Sequence, residues 1–349
     1  MSELRACVEA ASALRARGET CLIATVVDVH GSSYRRPGAR MVFSAQQWLA
    51  GSVSGGCLER DVLAKGPYRT RDGRAHLSTY DAASDERAGS GCDGVIDVLV
   101  ERASTSPDDL TDPLNFAARC LRDETHGLFI TCFRSARDDI QVGAHHAELA
   151  NGEVHTSFPA SFALPSSPGV HHVEGVALLV EHIAPPLHLF VFGGAHDALP
   201  VVTLAKATGW SVTVCEPHAQ LSSRERFRSA DRHLIGPLTQ AIDALAQCAR
   251  PAAVVMAHHY ERDLLALEAL LRTRVPYVGL LGARKRAERL REDLSERGIS
   301  QQTMQRLHSP IGLPIGAESP QEIALAIVAQ VQATVSAHKL SMPTRRASA

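Results

Sequence analysis

The sequence lacks a CxxC pair, an excess of charge of one sign and a long apolar run. Its eight cysteines are widely scattered, which gives no support for a disulfide framework or a zinc site. The formal net charge of -2 argues against nucleic acid as a partner, because nucleic-acid-binding domains carry a basic footprint. No segment offers the ~18 or more apolar residues needed to span a membrane, so we expect no stable membrane insertion.

The N-terminal residues have the spacing of a helix rather than the features of a secretory signal. Leu4, Cys7, Val8, Ala11 and Leu14 lie on one predicted helical face, without an apolar core or a cleavage site. The chain has 349 residues, enough for two or three domains. We therefore expect a cytoplasmic protein with more than one domain.

The first hundred residues alternate strand and helix patterns. A β-branched run at 21–29 predicts a buried strand, and shorter strands are predicted at 40–44 and 48–53. Helical spacing begins at Leu58, and two more strands are predicted at 76–81 and 94–101. This alternation predicts an N-terminal α+β domain over residues 1–103.

The rest of the chain divides into a weakly patterned segment and a strongly patterned one. Residues 104–186 contain two Ser/Pro-rich stretches and predict a variable segment and linker of small α+β type, with extension of the first sheet as one arrangement. Residues 187–338 repeat a strand, turn and helix rhythm, and the last helix is predicted to begin at an N-capping serine, Ser319. Residues 339–349 predict a disordered tail. The predicted fold class is α/β, with the N-terminal α+β domain followed by a C-terminal Rossmann-like, doubly wound parallel-sheet domain.

The first turn of the C-terminal domain departs from the dinucleotide fingerprint. The pattern G-x-G-x-x-G/A falls on Gly193, Ala195 and Ala198, so the second glycine is missing. Gly194 could loosen the turn, and Glu216, about 20 residues on, could bind a ribose hydroxyl. The alternatives are an NAD(P)-dependent oxidoreductase, a site for another phosphate-bearing ligand, and a scaffold without a ligand.

The stretch GSVSGGCLER places a thiol behind two glycines at a predicted helix start. With Ser54 as the N-cap, Gly55, Gly56 and Cys57 would occupy the first turn, where the helix dipole favours a thiolate. The glycines would let a bulky ligand approach. The alternative is a structural turn in which Cys57 fills a gap in the core.

A second thiol and a group of arginines have similar surroundings. Gly91 and Cys92 lie in GSGCDG, another glycine-rich turn ahead of a strand. Arg35, Arg36 and Arg40 lie among turn formers and could hold an anionic group, the alternative being a solvated turn.

Several long motifs, in order, resemble the xanthine dehydrogenase accessory protein family of the XdhC/CoxI type. They are ATVVDVHGSSYRRPGARM, LAGSVSGGCLE, GSGCDGVIDVLVE, LFVFGGAHDALPVVTLAKATGWSVTVCEPH, VVMAHHYERDLLAL, YVGLLGARKRAERL and SPIGLPIGAESPQEIALAIVA. The resemblance covers about residues 8–103 and 187–335. It implies a chaperone that binds the molybdenum cofactor (molybdopterin), protects it, supports its sulfuration and delivers it to a molybdenum hydroxylase such as xanthine dehydrogenase.

The resemblance also implies partners and site residues. A cysteine desulfurase would supply sulfur, two copies of the chain are expected to pair, and the protein would be a chaperone rather than an enzyme. The family turn GAGHDA reads GGAHDA here. Matching the family motifs to this sequence, and adding the residues argued above, gives the predicted cofactor-binding set Arg40, Gly55, Gly56, Cys57, Glu59, Gly91, Cys92, Gly193, Gly194, His196, Asp197, Glu216 and His258.

The chemistry of molybdopterin matches part of this set. A soft metal centre favours a thiolate, and an anionic phosphate favours backbone donors or arginines. We therefore expect Cys57 to contact molybdenum and Arg40 to contribute at the anionic end. The competing hypotheses are an NAD(P)-dependent oxidoreductase centred on Gly193, His196 and Glu216, and a scaffold that does not touch the cofactor.

Overall fold

The computed structural model describes residues 2–81, 94–218 and 225–341. They fall into two compact units, an N-terminal unit of Glu3–Pro185 and a C-terminal unit that begins at Pro186. The boundary at 185 adjoins the predicted start of the Rossmann-like domain, and the division predicted at 103 falls inside the N-terminal unit. The predicted domain boundaries themselves stay predictions.

The N-terminal unit contains two five-stranded sheets. The first half of the unit forms α1 (Ser2–Ala16), β1 (Leu22–His30), β2 (Arg40–Phe43), β3 (Trp48–Gly51), α2 (Glu59–Arg69), β4 (His76–Asp81) and β5 (Val95–Arg102). These strands pair antiparallel in the order β3-β2-β1-β5-β4.

The second half of the N-terminal unit forms its own sheet. Its elements are α3 (Pro113–Arg122), β6 (Gly127–Ser135), β7 (His145–Leu149), β8 (Val154–Thr156), β9 (Gly169–Val173) and β10 (Val176–Ile183). The strand order is β8-β7-β6-β10-β9, again antiparallel. The expectation that this segment could extend the first sheet is therefore wrong, because its strands pair only with one another among the described residues.

Alternation along β1 explains why this strand is buried on both faces. Ala24 and Val26 belong to a cluster that includes Val62 of α2. Val27, on the opposite face, packs with Phe133 and Leu179 of the second sheet. Because side chains alternate with a period of two, one strand serves the core under α2 and the core shared by the two sheets.

Polar side chains also link the two sheets. The Arg40 guanidinium donates to both carboxylate oxygens of Glu181 in β10, at 3.0 and 2.5 Å. His145 Nε2 lies 2.8 Å from Glu101 Oε2 of β5, and both residues are buried. Because each buried charged group faces a group of opposite charge, the cost of burying it is lower. The two pairs also fix the position of one sheet against the other.

The C-terminal unit is a doubly wound parallel sheet. Its elements are β11 (His188–Phe192), α4 (Ala198–Ala207), β12 (Ser211–Glu216), β13 (Arg232–Ile235), α5 (Leu238–Ala246), β14 (Pro251–Val255), α6 (Tyr260–Arg272), β15 (Val278–Leu280), α7 (Arg284–Glu296), α8 (Gln301–Met304), β16 (Leu307–His308) and α9 (Pro320–Ser341). The strand order β13-β12-β11-β14-β15-β16 is that of a Rossmann fold. The predicted fold class is confirmed for both parts of the chain.

Central strand β11 shows why helices cover both faces of this sheet. Phe190 packs in the cluster that contains Leu267 of α6. Val191 packs in the opposite cluster, with Val202 of α4 and Ile327 of α9. A parallel strand that is apolar on both faces requires helices on each side.

The last helix begins where the sequence predicts. Ser319 Oγ accepts from the backbone N–H of Glu322 at 3.3 Å, and the Glu322 carboxylate accepts from the N–H of Ser319 at 2.9 Å, which is a capping box. The helix continues to Ser341, so it includes the first residues of the predicted tail; residues 342–349 lie outside the described part. Within the described ranges, no helix has the length and apolar character needed to cross a membrane.

Candidate functional site

The loop that carries Cys57 joins β3 to α2, and it differs from the predicted helix start. Helix α2 begins at Glu59, its N-cap is Leu58, and the Leu58 side chain makes no capping hydrogen bond. Cys57 therefore precedes the helix and does not lie in its first turn. The predictions of Ser54 as N-cap and of a helix-terminal thiol are wrong.

The reason is that Ser54 closes the loop itself. Its hydroxyl oxygen accepts from the backbone N–H groups of Gly56 and Leu58, each at 3.1 Å. The same hydroxyl donates to Glu59 Oε2 at 2.5 Å. These bonds build a compact bend from serine and glycine, an arrangement that competes with helix formation.

Glu59 holds this bend from inside. Its carboxylate is buried, and Oε1 accepts from the backbone N–H groups of Val53 at 3.0 Å and Ser54 at 2.7 Å. With the Ser54 hydroxyl, the two oxygens receive three donors from the loop. Glu59 was predicted as a cofactor-binding residue, and the structure gives its carboxylate a positioning task within the loop.

Cys57 itself is exposed, in contrast to the other described cysteines, which are buried or half-buried. Burial raises the pKa of Cys7 to about 11 and that of Cys215 to about 12, so those thiols are packing groups. The Cys57 thiol contacts the Ser54 hydroxyl at 3.4 Å. The alternative that Cys57 fills a gap in the core is contradicted by this exposure.

The glycines leave the backbone beside the thiol uncovered. A Cβ added at Gly56 would meet no atom within 4 Å, and one at Gly55 would meet only the exposed Tyr34 ring, at 3.9 Å. The φ of Gly56 is 117°, a conformation that favours glycine. A large ligand can therefore approach Cys57 closely.

Two of the three arginines of the preceding turn, Arg35 and Arg40, are already paired with carboxylates. Arg40 is buried, and its guanidinium is occupied by Glu181 and by the carbonyl oxygen of Gly38. Arg35 donates to Glu3 at 2.6 Å. The prediction for Arg40 fails because its partner lies 141 residues away in sequence, in a different sheet. The predicted residues Gly91 and Cys92 lie outside the described residues and stay predictions.

The C-terminal unit brings several predicted residues together where β11, β12 and β14 end. A Cβ at Gly193, whose φ is 128°, would lie 2.6 Å from the carbonyl oxygen of Met256. A Cβ at Gly194 would overlap the Glu216 carboxylate. The GGA order thus fits a turn in which both glycines pass close to neighbouring strands.

Two other predicted residues form a pair at the same edge. His258 Nε2 lies 2.6 Å from Asp197 Oδ2, and the His258 backbone has a φ of 55°. His196, beside Asp197, is exposed. This edge, between β11 and β14, is the point where the strand order reverses and where ligands bind in such sheets.

A cavity of about 220 Å³ lies beside this edge, within the C-terminal unit. Its wall includes the predicted residues Gly194 and Glu216, and also Asp263, which sequence reasoning missed. Asp263 is fully buried in the first turn of α6 and pairs with Arg286. Burial raises the pKa of the Asp263 carboxyl, although Arg286, the backbone N–H of Ala257 and other neighbours oppose the shift.

One sequence signal could have pointed to Asp263. It is an acidic residue at the first turn of a helix that follows a buried apolar strand, a position where charge faces the carboxyl edge of the sheet. In this segment, only His258 was predicted as a site residue.

Comparisons with known proteins cover both units. Residues 14–81 match the XdhC and CoxI family, and residues 189–331 match the XdhC Rossmann domain. A relative from Bacillus subtilis (strain 168), described as a probable subunit of xanthine dehydrogenase, is 29% identical over 329 residues, which cover 90% of this chain and 92% of the relative. The uncharacterized protein YqeB of Escherichia coli (strain K12) is 28% identical over 147 residues, 41% of this chain and 26% of its own length.

A solved structure agrees with these matches. The crystal structure of a protein described as a xanthine dehydrogenase from Bacillus halodurans superposes with a TM-score of 0.79 and 26% sequence identity. The match covers 97% of this chain and 98% of that one.

Proposed function

This chain belongs to the XdhC and CoxI family, and we propose from this premise that it binds molybdenum cofactor as cargo, protects it, supports its sulfuration and delivers it to a molybdenum hydroxylase such as xanthine dehydrogenase. The names of the Bacillus subtilis and Bacillus halodurans relatives support a xanthine dehydrogenase partner. The observation that carries the proposal is the exposed Cys57 thiol on a loop with an uncovered glycine backbone.

The Cys57 loop fits the metal end of the cargo. Thiolate is a soft ligand suited to a soft dithiolene-bound metal, and Gly55 and Gly56 leave space for the rest of a bulky cofactor. The cargo would supply the molybdenum centre, and this chain would supply one sulfur ligand. An exposed ligand also suits a protein that must release what it binds.

Arg40 does not fit the anionic end of the cargo, because Glu181 already neutralises it. Exposed Arg36 and Arg60 lie nearby in sequence, and neither forms an ion pair with another described residue. We propose that an exposed arginine such as Arg36 or Arg60 binds the anionic phosphate of the cargo.

The preorganised loop defines what the chain contributes. Glu59 and Ser54 fix the backbone on either side of Cys57, so the thiol is presented without a cost for ordering the loop on binding. No group in this loop is placed as a general base for Cys57, since its nearest polar neighbour is a hydroxyl that already donates to a carboxylate. We therefore propose a holding and delivery role, with a cysteine desulfurase as the source of sulfur.

Cofactor retention tests the proposal. The full chain is produced in cells that make molybdenum cofactor, and bound molybdenum and pterin are measured after purification for wild type and Cys57→Ser. Loss of one metal–thiolate bond should reduce retention by about tenfold or more, since each ~1.4 kcal/mol is a factor of ten. Cys248→Ser, which changes a half-buried cysteine of the C-terminal unit, is the matched control and should retain wild-type levels. Equal retention by Cys57→Ser and wild type would contradict the proposal.

A further inference from the structure

The cavity at the carboxyl edge of the C-terminal sheet contains two buried carboxylate oxygens that lack hydrogen-bond donors. They are Glu216 Oε2 and Asp263 Oδ1, and neither accepts a hydrogen bond of ordinary geometry within the described part of the chain. Both residues line the same space of about 220 Å³. Buried acceptors without donors are costly, so they mark a place where a ligand can supply the missing bonds.

Glu216 is held firmly toward this space. It is 5% exposed, and the backbone of Gly194 lies so close that a Cβ there would overlap the carboxylate. His233 Nε2 lies 3.5 Å from Oε2, beyond the usual hydrogen-bond length. The carboxylate therefore keeps an oxygen for a donor from the cavity.

Asp263 offers the second acceptor from another element. It is 0% exposed, Arg286 donates to Oδ2 and the Ala257 N–H lies near the carboxyl, yet Oδ1 accepts no hydrogen bond of ordinary geometry from the described residues. Asp263 lies in α6 and Glu216 at the end of β12, so the two acceptors come from different elements that line one cavity.

The rest of the wall decides what kind of donor fits. Much of it is apolar, and it includes Phe192, Leu234, Leu238, Ala241 and Val255. N–H groups are pure donors, so they can satisfy acceptors that lack donors. Arg262 also lines the space, but the two carboxylate oxygens that lack donors disfavour a phosphate beside them. The volume lies below the roughly 300 to 1,000 Å³ of pockets for drug-sized ligands, so it suits one planar ring system rather than a whole dinucleotide.

We propose that this cavity binds a planar heterocycle presenting a ring N–H beside an exocyclic amino group, the donor edge shared by guanine and pterin rings. Glu216 and Asp263 accept the two kinds of N–H, and the apolar wall covers the ring faces. The site lies entirely within the C-terminal unit and does not depend on the Cys57 thiol.

Calorimetric titration of the full wild-type chain tests the donor pattern directly. The probes are guanosine, pterin, inosine and NADH; inosine is the matched control because it lacks only the exocyclic amino group of guanosine. Guanosine or pterin should bind at least about tenfold more tightly than inosine, the loss expected when a hydrogen bond to a charged group is removed. The tighter binder of guanosine and pterin identifies which ring system the cavity takes. Inosine binding as tightly as the better of guanosine and pterin, tighter binding of NADH, or no binding of either guanosine or pterin would overturn the proposal.

A variant series locates the ligand. Glu216→Gln keeps the size of the side chain but replaces a charged acceptor, and it should weaken guanosine or pterin binding by roughly 10- to 100-fold. Asp243→Asn removes an exposed charge from neighbouring helix α5 and should bind as wild type. Unchanged affinity of a folded Glu216→Gln would overturn the assignment, and if that variant fails to fold, the inosine comparison on wild type still decides. Cys57→Ser should bind these rings normally, so failure of the heterocycle site and failure of the proposed function are distinguishable.

Discussion

Replacing Glu59 by alanine should destabilise the loop that presents Cys57. The substitution removes the acceptor of three hydrogen bonds, from the Val53 and Ser54 N–H groups and from the Ser54 hydroxyl. A buried donor without an acceptor costs about 1–3 kcal/mol, but the exposed glycines allow water to reach part of the bend. We therefore expect the free energy of unfolding of the N-terminal unit to fall by about 2–4 kcal/mol.

Glu59→Gln separates the charge of this residue from its geometry. Glutamine keeps one acceptor oxygen for the Val53 and Ser54 N–H groups, but its NH2 group faces a Ser54 hydroxyl that already accepts from Gly56 and Leu58. The loss should be about 1.5 kcal/mol, the lower end of the range for one hydrogen bond to a charged group.

Urea denaturation and hydrogen exchange measure the two variants. Urea gives the change in unfolding free energy, and mass spectrometry of peptides spanning residues 52–58 gives the local opening of the bend. Exchange should be fastest in Glu59→Ala and intermediate in Glu59→Gln. If Glu59→Ala matches wild type in both measurements while losing cofactor, Glu59 contacts the cargo directly and the positioning account is refuted.

Three further predictions concern other parts of the chain. Gly193→Ala combines a φ of 128° with overlap of backbone atoms after β14, and it should cost more than about 2 kcal/mol in urea denaturation; a neutral result would contradict the described turn. Burial disfavours the charged form of His145, but Glu101 outweighs this effect and raises the His145 pKa above 6.5. The stability from this pair should be complete below about pH 6.5 and decline as pH rises through the raised pKa, a dependence that His145→Gln should flatten and that pH-dependent urea midpoints measure. Ser319→Ala removes the cap of α9 and should lower the unfolding free energy of the C-terminal unit by about 0.5–2 kcal/mol, with an unchanged urea midpoint as the contrary result.

Local patterns predicted the elements whose stability is decided by nearby residues. The apolar runs of β1 and β11 appear as buried strands, and the Ser319 capping box begins α9 as expected. Such signals are readable because periodicity and capping act over a few residues. The repeated strand, turn and helix rhythm predicted the parallel sheet that the C-terminal unit contains.

The site residues were less predictable because their partners are distant or ambiguous in sequence. The arginine in PGAR, Arg40, looks like a free cation until the second sheet places Glu181 against it. Ser54 has the residue type of an N-cap, yet Glu59 draws its hydroxyl into a bend before the helix. The position of Asp263 in the first turn of a helix is readable from sequence, but its complete burial is not. These outcomes depend on tertiary contacts that local propensity does not encode.

Transfer of cofactor to a client enzyme tests the central claim most directly. Cofactor-free xanthine dehydrogenase is mixed with equal total amounts of molybdenum cofactor in the presence of wild type, Cys57→Ser or no accessory chain, and urate formation is followed. Wild type should raise the activity well above that given by free cofactor, and Cys57→Ser should give no more than free cofactor alone. Equal activation by the two proteins would show that the exposed thiol is not what holds the cargo, and the account would fail.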